Sequence, residues 1–391
     1  MNYHKIRIVL ITFFVLIILL IQNSIFPAEV ALNEENIDGF KPTLRLEGNL
    51  QFRHEYNNSK GVTKTTNNFA IRQARIILSG NIYTNVNYKI EIKGENLVVG
   101  KPGLKIAYIN FTPYSFFNIT AGVLDVPFTR EQALLSSKRL LLMDRSSATN
   151  NNVIFTDIGL MFSGEFLNKK IKYWLSITNG AGGFEDGING WRGSFKSSNT
   201  TNNYFDLATR LQFDLFGDWK DGKVWFTKDL KSTIGFAVYY SKQRDDSATL
   251  GNYAGSKNFI GLTADFGVNY NIFYLEGAII YHNAKANPSY GTNNVLAALD
   301  SYIAYYAQLG ITIYPKYFVG AIRWDSYKED PGNKLDDRIN DGVICFTWYI
   351  GGNQHKLKFQ TEGAYQHQKG VNATNASNKE FKWRNQLSLL F

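Results

Sequence analysis

The feature that most constrains this chain is a period of two that runs through unusually long segments. From Leu44 to Tyr56, one face reads Leu, Leu, Gly, Leu, Phe, His and Tyr, while the other is entirely polar: Arg45, Glu47, Asn49, Gln51, Arg53 and Glu55. Alternate side chains of a β-strand point to opposite faces, so this strand lies between an apolar phase and water. Ordinary strands have about 5 or 6 residues, whereas membrane-spanning strands take about 9 to 11. The pattern therefore favours a membrane-spanning sheet over a soluble sandwich.

The alternation recurs along the chain and predicts sixteen strands, beginning near Leu44, Phe69, Val86, Leu104, Phe117, Ile154, Ile171, Tyr204, Thr233, Phe259, Ile272, Tyr302, Tyr317, Val343, Lys356 and Glu380. Long polar segments follow the odd strands and short turns follow most even ones. An even strand count with long loops at one rim is typical of outer-membrane barrels. We therefore expect an all-β fold, a 16-stranded antiparallel transmembrane β-barrel over residues 43–391, with the last strand closing on the first.

Some segments fit this pattern less well and are assigned by position. Phe69 to Ile82 carries apolar residues on both faces, and Val343 to Ile350 has no charged residue. Glu95 to Gly103 is short for an outer loop. Gly217 to Lys231 is long for an inner turn, and we expect it to reach into the pore from below.

The N-terminus has the layout of a secretory signal peptide. Lys5 and Arg7 precede an apolar run from Ile8 to Ile21, which is short for a membrane-spanning helix. We expect residues 1–28 to be a signal peptide and 29–42 a periplasmic lead; an uncleaved anchor is the alternative. Export suits the cysteine content, because Cys345 is the single cysteine and has no internal disulfide partner.

The longest interruption of the strand pattern follows the fifth strand. Pro127 breaks the alternation, and the segment 125–152 mixes basic residues with the apolar run Leu140 to Met143. This is the third outer loop, and we expect it to fold into the lumen as a constriction. Its basic residues are candidates for an anion-attracting eyelet: Arg130, Lys138, Arg139 and Arg145. The alternative is that they pair with carboxylates and hold the loop in place, while the apolar run packs against the wall or a neighbouring subunit.

Several segments, taken in order, resemble the phosphate-selective porins of the O and P type. They are FAIRQARIILSG (69–80), KIAYINFTP (105–113), AGVLDVPFTREQALLSSKRLLLMDRS (121–146), DLATRLQFDLF (206–216), AIRWDSY (321–327) and YIGGNQHKLKFQTE (349–362). The terminal Phe391 also resembles the end signal of bacterial outer-membrane proteins. The resemblance implies sixteen strands, a homotrimer and diffusion of anions past an infolded third loop.

The resemblance also implies an arginine ladder with lysines deeper in the lumen. The candidates on the polar faces of the strands are Arg45, Arg53, Arg75, Lys89, Arg210 and Arg323, with Arg384, Lys93, Lys105 and Lys358 beside them. Carboxylates on the same faces match them almost one for one, which predicts a balanced lumen rather than a strongly selective one. The formal net charge of +9, of which Lys5 and Arg7 carry two, favours anionic solutes or contact with anionic lipid.

Other chemistry has little support in the sequence. The histidines lack metal-ligand spacing, and the basic residues are spread along the strands rather than clustered for nucleic acid. A barrel enzyme such as a lipid hydrolase would need a serine beside His54 or His282, and the sequence pattern indicates no serine as a partner for either histidine. We therefore expect no enzyme, cofactor, metal or nucleic-acid partner. The predicted function is an outer-membrane porin for passive diffusion of small hydrophilic solutes, with a phosphate-like anion preference. The alternatives are a general non-selective porin and a structural or adhesive barrel.

Overall fold

The computed structural model describes residues 29–31, 41–60, 65–94, 103–153, 155–179, 205–219, 227–242, 256–286, 301–328, 338–352, 356–368 and 378–391. The expected signal peptide lies outside these residues, as does most of Glu95 to Gly103. In the expected lead, Glu29–Ala31 pairs as a short strand with residues 43–45. Among the described residues, no helix is long and apolar enough to cross a membrane.

In this part of the chain, sixteen long strands form the sheet. They are β1 (Thr43–Lys60), β2 (Thr66–Tyr83), β3 (Val86–Lys93), β4 (Gly103–Tyr114), β5 (Phe117–Asp125), β6 (Thr156–Phe166), β7 (Ile171–Thr178), β8 (Asp206–Phe216), β9 (Thr227–Lys242), β10 (Ser256–Asn271), β11 (Phe273–Ala286), β12 (Tyr302–Tyr314), β13 (Phe318–Lys328), β14 (Arg338–Tyr349), β15 (Leu357–Gln368) and β16 (Asn378–Leu390). Each predicted strand is present. The polar stretch Asn57 to Asn68 is only partly loop, because β1 runs to Lys60 and β2 begins at Thr66.

The sheet closes on itself. Each strand pairs antiparallel with the next, and β16 pairs with β1 from Lys379↔Lys60 to Leu390↔Asn49. The terminal residue completes the seam, since Gly48 N donates to Phe391 O at 2.7 Å and Phe391 N donates to Gly48 O at 3.2 Å. A closed barrel leaves no edge strand with unpaired backbone groups, which hydrocarbon could not satisfy.

The two faces of the wall separate as the alternation predicts. In β8, Leu207, Leu211 and Leu215 are exposed on the outer surface, whereas Arg210 and Gln212 are buried inside the barrel. A shift of register by one residue would turn the inward charges into lipid, at about 2 to 4 kcal/mol for each Arg or Lys near the midplane. Burial of the polar face therefore fixes the register.

Two β-bulges explain where the alternation is irregular. In β2 the register passes from Gln51↔Gln73 to Phe52↔Ile71 and leaves Arg72 without a partner in the pairing. The bulge switches the phase of the strand, so that Phe69 and Ile71 face outward as Ile76 does. A second bulge, at Lys105 in β4, lies opposite the Glu91–Ile92 step. Both extra residues are cations, and both reach carboxylates inside the barrel.

The lack of charged residues from Val343 to Tyr349 in β14 has a separate cause. Its inward residues Val343, Cys345 and Tyr349 are buried in an apolar cluster with Leu141, Leu142 and Met143 of the loop between β5 and β6. An apolar inward face occurs there because protein, rather than water, covers it.

The alternation makes a direct prediction for β4. Ile109 is exposed on the outer face, and its neighbour Asn110 is half-buried on the inner face. We expect Ile109→Lys to destabilise the folded barrel by up to about 4 kcal/mol because it places a charge against hydrocarbon. Asn110→Lys, the matched control, should cost about 1 kcal/mol, the loss of the hydrogen bond from Thr120. Urea titration in lipid vesicles measures both; equal costs would contradict the assigned faces.

Candidate pore constriction

The loop between β5 and β6, described over residues 126–153 and 155, folds into the barrel. Val126, Phe128, Ala148 and Val153 are buried against inward residues of β8, β9 and β11 to β14, and Leu141, Leu142 and Met143 against those of β11 and β13 to β15. The loop therefore fills the side of the lumen lined by β8 to β15. The apolar run Leu140 to Met143 packs against the wall, as the sequence suggested.

Local capping sets the shape of this constriction loop. It contains two short helices, α1 (Arg130–Ala133) and α2 (Ser147–Asn152), with a 3₁₀ turn at Ser137–Arg139 between them. The side chains of Thr129, Ser136 and Ser146 each accept a hydrogen bond from a backbone N–H of the following turn. N-capping residues satisfy amides that a helix leaves unpaired, so each turn has a defined start.

Arg130 anchors the first helix to the far wall. Its guanidinium pairs with Glu276 and donates to the hydroxyl of Tyr274 at 3.2 Å. Its backbone N donates to Asp265 Oδ2 at 3.1 Å, and Asp265 also receives both terminal nitrogens of Arg210 at 2.6 and 2.7 Å. Arg130 and Arg210 are both buried, so their geometry supports loop anchoring; neither reaches the open lumen.

Asp144 is the second anchor, and four arginines converge on it. Arg53 binds its carboxylate with both terminal nitrogens, at 2.7 and 3.0 Å, and Arg384 and Arg72 approach at 2.9 and 3.3 Å. Arg323 donates to the backbone carbonyl of Asp144 at 2.9 Å and also pairs with Asp325. Burial acts to raise the pKa of the Asp144 carboxyl, but the charges of Arg53, Arg72 and Arg384 outweigh it and hold that pKa well below its usual range.

Arg145 stabilises the inside of the loop. Its Nε donates to the carbonyl of Glu131 at 2.9 Å and its Nη2 to the carbonyl of Leu135 at 2.7 Å. The carboxylate of Glu131 in turn accepts from the backbone N and hydroxyl of Ser146. These contacts join α1 to the start of α2 across the turn.

A second insertion meets the constriction loop from the opposite rim. Trp219, in the turn after β8, is buried, and the Arg130 guanidinium lies 5.1 Å from the centre of its ring. Its backbone N donates to Asp214, and its carbonyl accepts from Lys172 Nζ at 3.2 Å. The tryptophan also contacts Tyr274, with ring centres 6.0 Å apart. The expectation that this turn enters the lumen holds for Trp219; residues 220–226 lie outside the described part of the chain.

A basic surface lines the other side of the lumen, and we call it the β1–β4 wall. The pairing of β1, β2 and β3 arranges their inward residues in rows that run across the three strands. The three rows are Arg45, Ser79 and Lys89; Glu47, Ile77 and Glu91; and Asn49, Arg75 and Lys93. Lys105 adds to it at the bulge, 3.7 Å from Glu91, and Lys138 of the loop reaches Glu47 at 2.9 Å. In these three rows, taken with Lys105, Lys138 and the neighbouring Asp125 of β5, six cations face three carboxylates, Glu47, Glu91 and Asp125.

The remaining loop cations differ from Arg130 and Arg145 in their exposure. Lys138 lies at the edge of the β1–β4 wall, and Arg139 beside it is exposed, with no ion pair among the residues described. Arg45 and Lys89 also keep part of their side chains exposed, 56% and 32%, so water and solutes reach them. The structure therefore separates the sequence candidates into buried anchors and accessible wall residues.

Sequence reasoning missed Arg72 as an inward residue, and it missed the central role of Asp144. Strict alternation does not reveal a bulge, so Arg72 had no signal. The ion-pair partners of Asp144 come from β1, β2 and β16 rather than from the loop itself. His54 faces outward and contacts Asn67 and Asn385, and His282 is buried inside the barrel. Within the described residues, no cluster of three or more His, Cys, Asp or Glu could hold a metal.

Comparisons with known proteins agree on family and fold. The family described as phosphate-selective porin O and P matches residues 44–383. No curated protein matches the chain. Similar solved structures include the outer-membrane channel DcaP of Acinetobacter baumannii (12% identity, 90% of this chain and 97% of that one, TM-score 0.61) and an anion-selective porin from Comamonas acidovorans (10%, 89% and 100%, 0.59). Salmonella typhi OmpF is also similar (11%, 93% and 100%, 0.57). At these identities the likeness is one of fold.

The arginine cluster around Asp144 predicts a pH-dependent anchor. A carboxyl whose folded-state pKa is lowered stabilises the fold fully above its unfolded pKa of about 3.9, and this stabilisation is lost as pH falls through the folded-state value. We expect steady single-channel currents at pH 7 and 5, with open-channel fluctuations appearing below about pH 4. D144N should fluctuate already at pH 7. A quiet D144N channel at neutral pH would show that this cluster does not hold the loop.

The contact between Trp219 and Arg130 predicts that the inner turn positions the constriction. W219A removes a buried ring, at a cost of about 3 to 5 kcal/mol, and leaves space below the loop. We expect larger single-channel conductance and more current noise, largely restored in W219F. W324A, which alters a lipid-facing tryptophan, is the control and should conduct as the wild type does. Unchanged conductance in W219A would mean that the loop holds its place without this contact.

Proposed function

Because the chain belongs to the phosphate-selective porin O and P family, we propose that its barrel conducts small hydrophilic anions along the β1–β4 wall. Family and fold are those of outer-membrane channels, so the chain is a porin of the bacterial outer membrane. The proposal concerns the solute and its route. Phosphate and solutes that carry phosphate or carboxylate groups have the chemistry that this wall would attract.

The observation that carries the proposal is the uneven distribution of lumen charge. In the half of the lumen that the loop fills, four buried cations are each held by a carboxylate: Lys172 by Asp214, Arg210 by Asp265, Arg130 by Glu276 and Arg323 by Asp325. Such pairs present little net field to a passing ion. In the three rows of the β1–β4 wall, taken with Lys105, Lys138 and Asp125, cations outnumber carboxylates two to one, and neither apolar cluster of the described residues covers them.

The expected strength of the preference follows from solvation. Lys89 and Arg45 stay partly hydrated, and Glu47 and Glu91 lie among the cations. A cationic surface in water raises the local concentration of anions by a long-range field that salt screens, without binding them tightly. This arrangement supports a moderate anion preference with rapid passage, and it favours that function over a channel that holds one phosphate firmly.

The outward faces of β15, β16, β1 and β2 support a homotrimer. A chain of polar contacts crosses the outward faces of β15, β16, β1 and β2: Thr361 donates to Asn385 at 2.9 Å, Asn385 lies 3.4 Å from His54, and His54 lies 2.7 Å from Asn67. Polar groups that face hydrocarbon are costly wherever a hydrogen-bonding capacity is left unused. Contact with a second copy of the chain would cover them.

Charge removal on the wall tests the proposed route. We expect the triple variant K89Q, K93Q and K105Q to shift the reversal potential in a KCl gradient toward cation preference, because three of the six wall cations are lost. K169Q with K170Q, at an exposed inner turn, is the control and should leave the potential unchanged. The shift should be smaller in 1 M salt than in 0.1 M salt, because screening shortens the field.

Two results would contradict the proposal. An unchanged reversal potential in the triple variant would remove the β1–β4 wall from the ion path. A wild-type channel that prefers cations would exclude an anion route altogether. Circular dichroism and heat-modified migration in electrophoresis would establish that each variant is a folded barrel.

A further inference from the structure

The arginines around Asp144 belong to the barrel wall, whereas the carboxylate that they bind belongs to the constriction loop. Arg53 lies on β1, Arg72 at the bulge of β2 and Arg384 on β16. Their nearest nitrogens lie 2.7 to 3.3 Å from the oxygens of Asp144. Arg53 binds both oxygens, in the paired geometry that a guanidinium offers to a planar anion. The wall therefore presents a set of donors whose arrangement fits a carboxylate.

Wall residues hold two of these arginines in position independently of the loop. Gln386 Oε1 accepts from Arg53 Nε at 2.9 Å and from Arg53 Nη2 at 2.7 Å. Glu362 pairs with Nη2 of Arg384, and Nη1 of the same arginine binds Asp144. Gln386 and Glu362 are themselves buried. These donors would keep their places if the Asp144 side chain left, which is what a preorganised binding site requires.

The constriction loop also stays attached at this point without the Asp144 carboxylate. Arg323 donates to the backbone carbonyl of Asp144 at 2.9 Å, and the backbone N of Met143 donates to Glu362 Oε2 at 3.0 Å. Neither contact involves the Asp144 side chain. Exchange of that side chain for another anion would therefore loosen the loop locally without releasing it from the wall.

The cluster can be reached from the uncovered half of the lumen. The side chain of Arg72 is 40% exposed and that of Asp144 is 17% exposed, whereas Arg53 is buried. Because β2 is part of the β1–β4 wall, an anion on the proposed route passes beside Arg72. The buried Nε of Arg384 has no hydrogen-bond partner among the described residues. The cluster thus has an accessible edge and a donor that Asp144 does not use.

The charge of the cluster is balanced only while a carboxylate occupies it. In the part of the chain that the structure describes, the four arginines that contact Asp144 are matched by four carboxylates: Asp144, Glu362, Asp325 and Glu55, the last of which is the cross-strand partner of Arg384. Without Asp144 one positive charge is in excess, and an unbalanced buried charge is costly. The cluster therefore favours an anion in that place, whichever molecule supplies it.

We propose that this cluster is a binding site for the carboxylate group of a solute, and that Asp144 occupies the site when no solute is bound. The solute carboxylate takes the two oxygen positions on Arg53, and the Asp144 side chain turns into the water of the lumen. The inference rests on the proposed anion route for access to the cluster. It narrows the substrate class to carboxylates, because the internal occupant is a carboxylate held through both of its oxygens.

Block of single-channel current by benzoate in planar bilayers tests the site. Benzoate carries one carboxylate and is bulky enough to reduce the chloride current while it is bound. We expect D144A to lower the half-blocking concentration about tenfold or more, because the tethered Asp144 no longer competes at a high effective concentration. R53Q in the D144A background should abolish this gain. Benzamide, which has nearly the same shape and no charge, should not block any of the channels.

A matched control separates binding at the cluster from general attraction. E47Q also removes one carboxylate from the lumen, but the cluster keeps its occupant, so the half-blocking concentration should change far less than in D144A. D144N keeps the side-chain volume and should show a smaller gain in the same direction, which provides the test if D144A does not form a barrel. Phenyl phosphate should gain less than benzoate in either variant.

Several results would overturn the proposal. Equal benzoate block in the wild type, D144A and D144N would show that the cluster is a structural anchor only. Equal gains in D144A and E47Q would assign the effect to general attraction, and an equal gain for phenyl phosphate would remove the preference for carboxylates. Failure of the anion route is a separate result, because it is measured by the reversal potential of the lysine variant and leaves the benzoate comparison intact.

Discussion

Hydrocarbon offers no hydrogen bonds, and this constraint governs the rest of the structure. Every backbone N–H and C=O of a membrane-spanning strand must find a partner in the neighbouring strand, so the sheet has to close. The seam between β16 and β1, completed by Phe391 and Gly48, meets this requirement. Closure then gives each strand one face in lipid and one face in an enclosed space. The period-two pattern of the sequence follows directly from that geometry.

The enclosed space is asymmetric because the constriction loop fills one side of it. Apolar inward residues occur on β8 to β15, where the loop packs, and ion pairs at Arg130 and Asp144 fix its position. Buried ion pairs add little net stability, because removing charges from water costs about as much as their attraction returns. Their geometric specificity is the larger effect: a loop that is anchored at β1, β2, β11, β13 and β16 has few alternative positions.

The proposed function depends on the side of the lumen that the constriction loop leaves uncovered, which is the β1–β4 wall. The two insertions, at Arg130 from one rim and Trp219 from the other, meet in the filled half. The route that we propose for solutes therefore follows the β1–β4 wall. This separation also explains why the total charge of the lumen is a poor guide to ion selectivity. The ion-paired residues in the filled half add to the number of lumen charges, but they add little to the electric field along the proposed solute route.

The sequence by itself determined the strand number, the closure and the inward or outward position of most side chains, because these depend on a local period of two. It also marked the segment 125–152 as the longest interruption of the strand pattern. Only the tertiary structure decided which cations anchor the loop and which line the path. Arg130 and Lys138 look alike in the sequence, yet one is buried against Glu276 and the other lies at the edge of the wall. Their partners come from strands about 90 to 150 residues away, and a bulge at Arg72 changes the phase without a local signal. Contacts between distant segments depend on register and loop path, which no short stretch of sequence encodes.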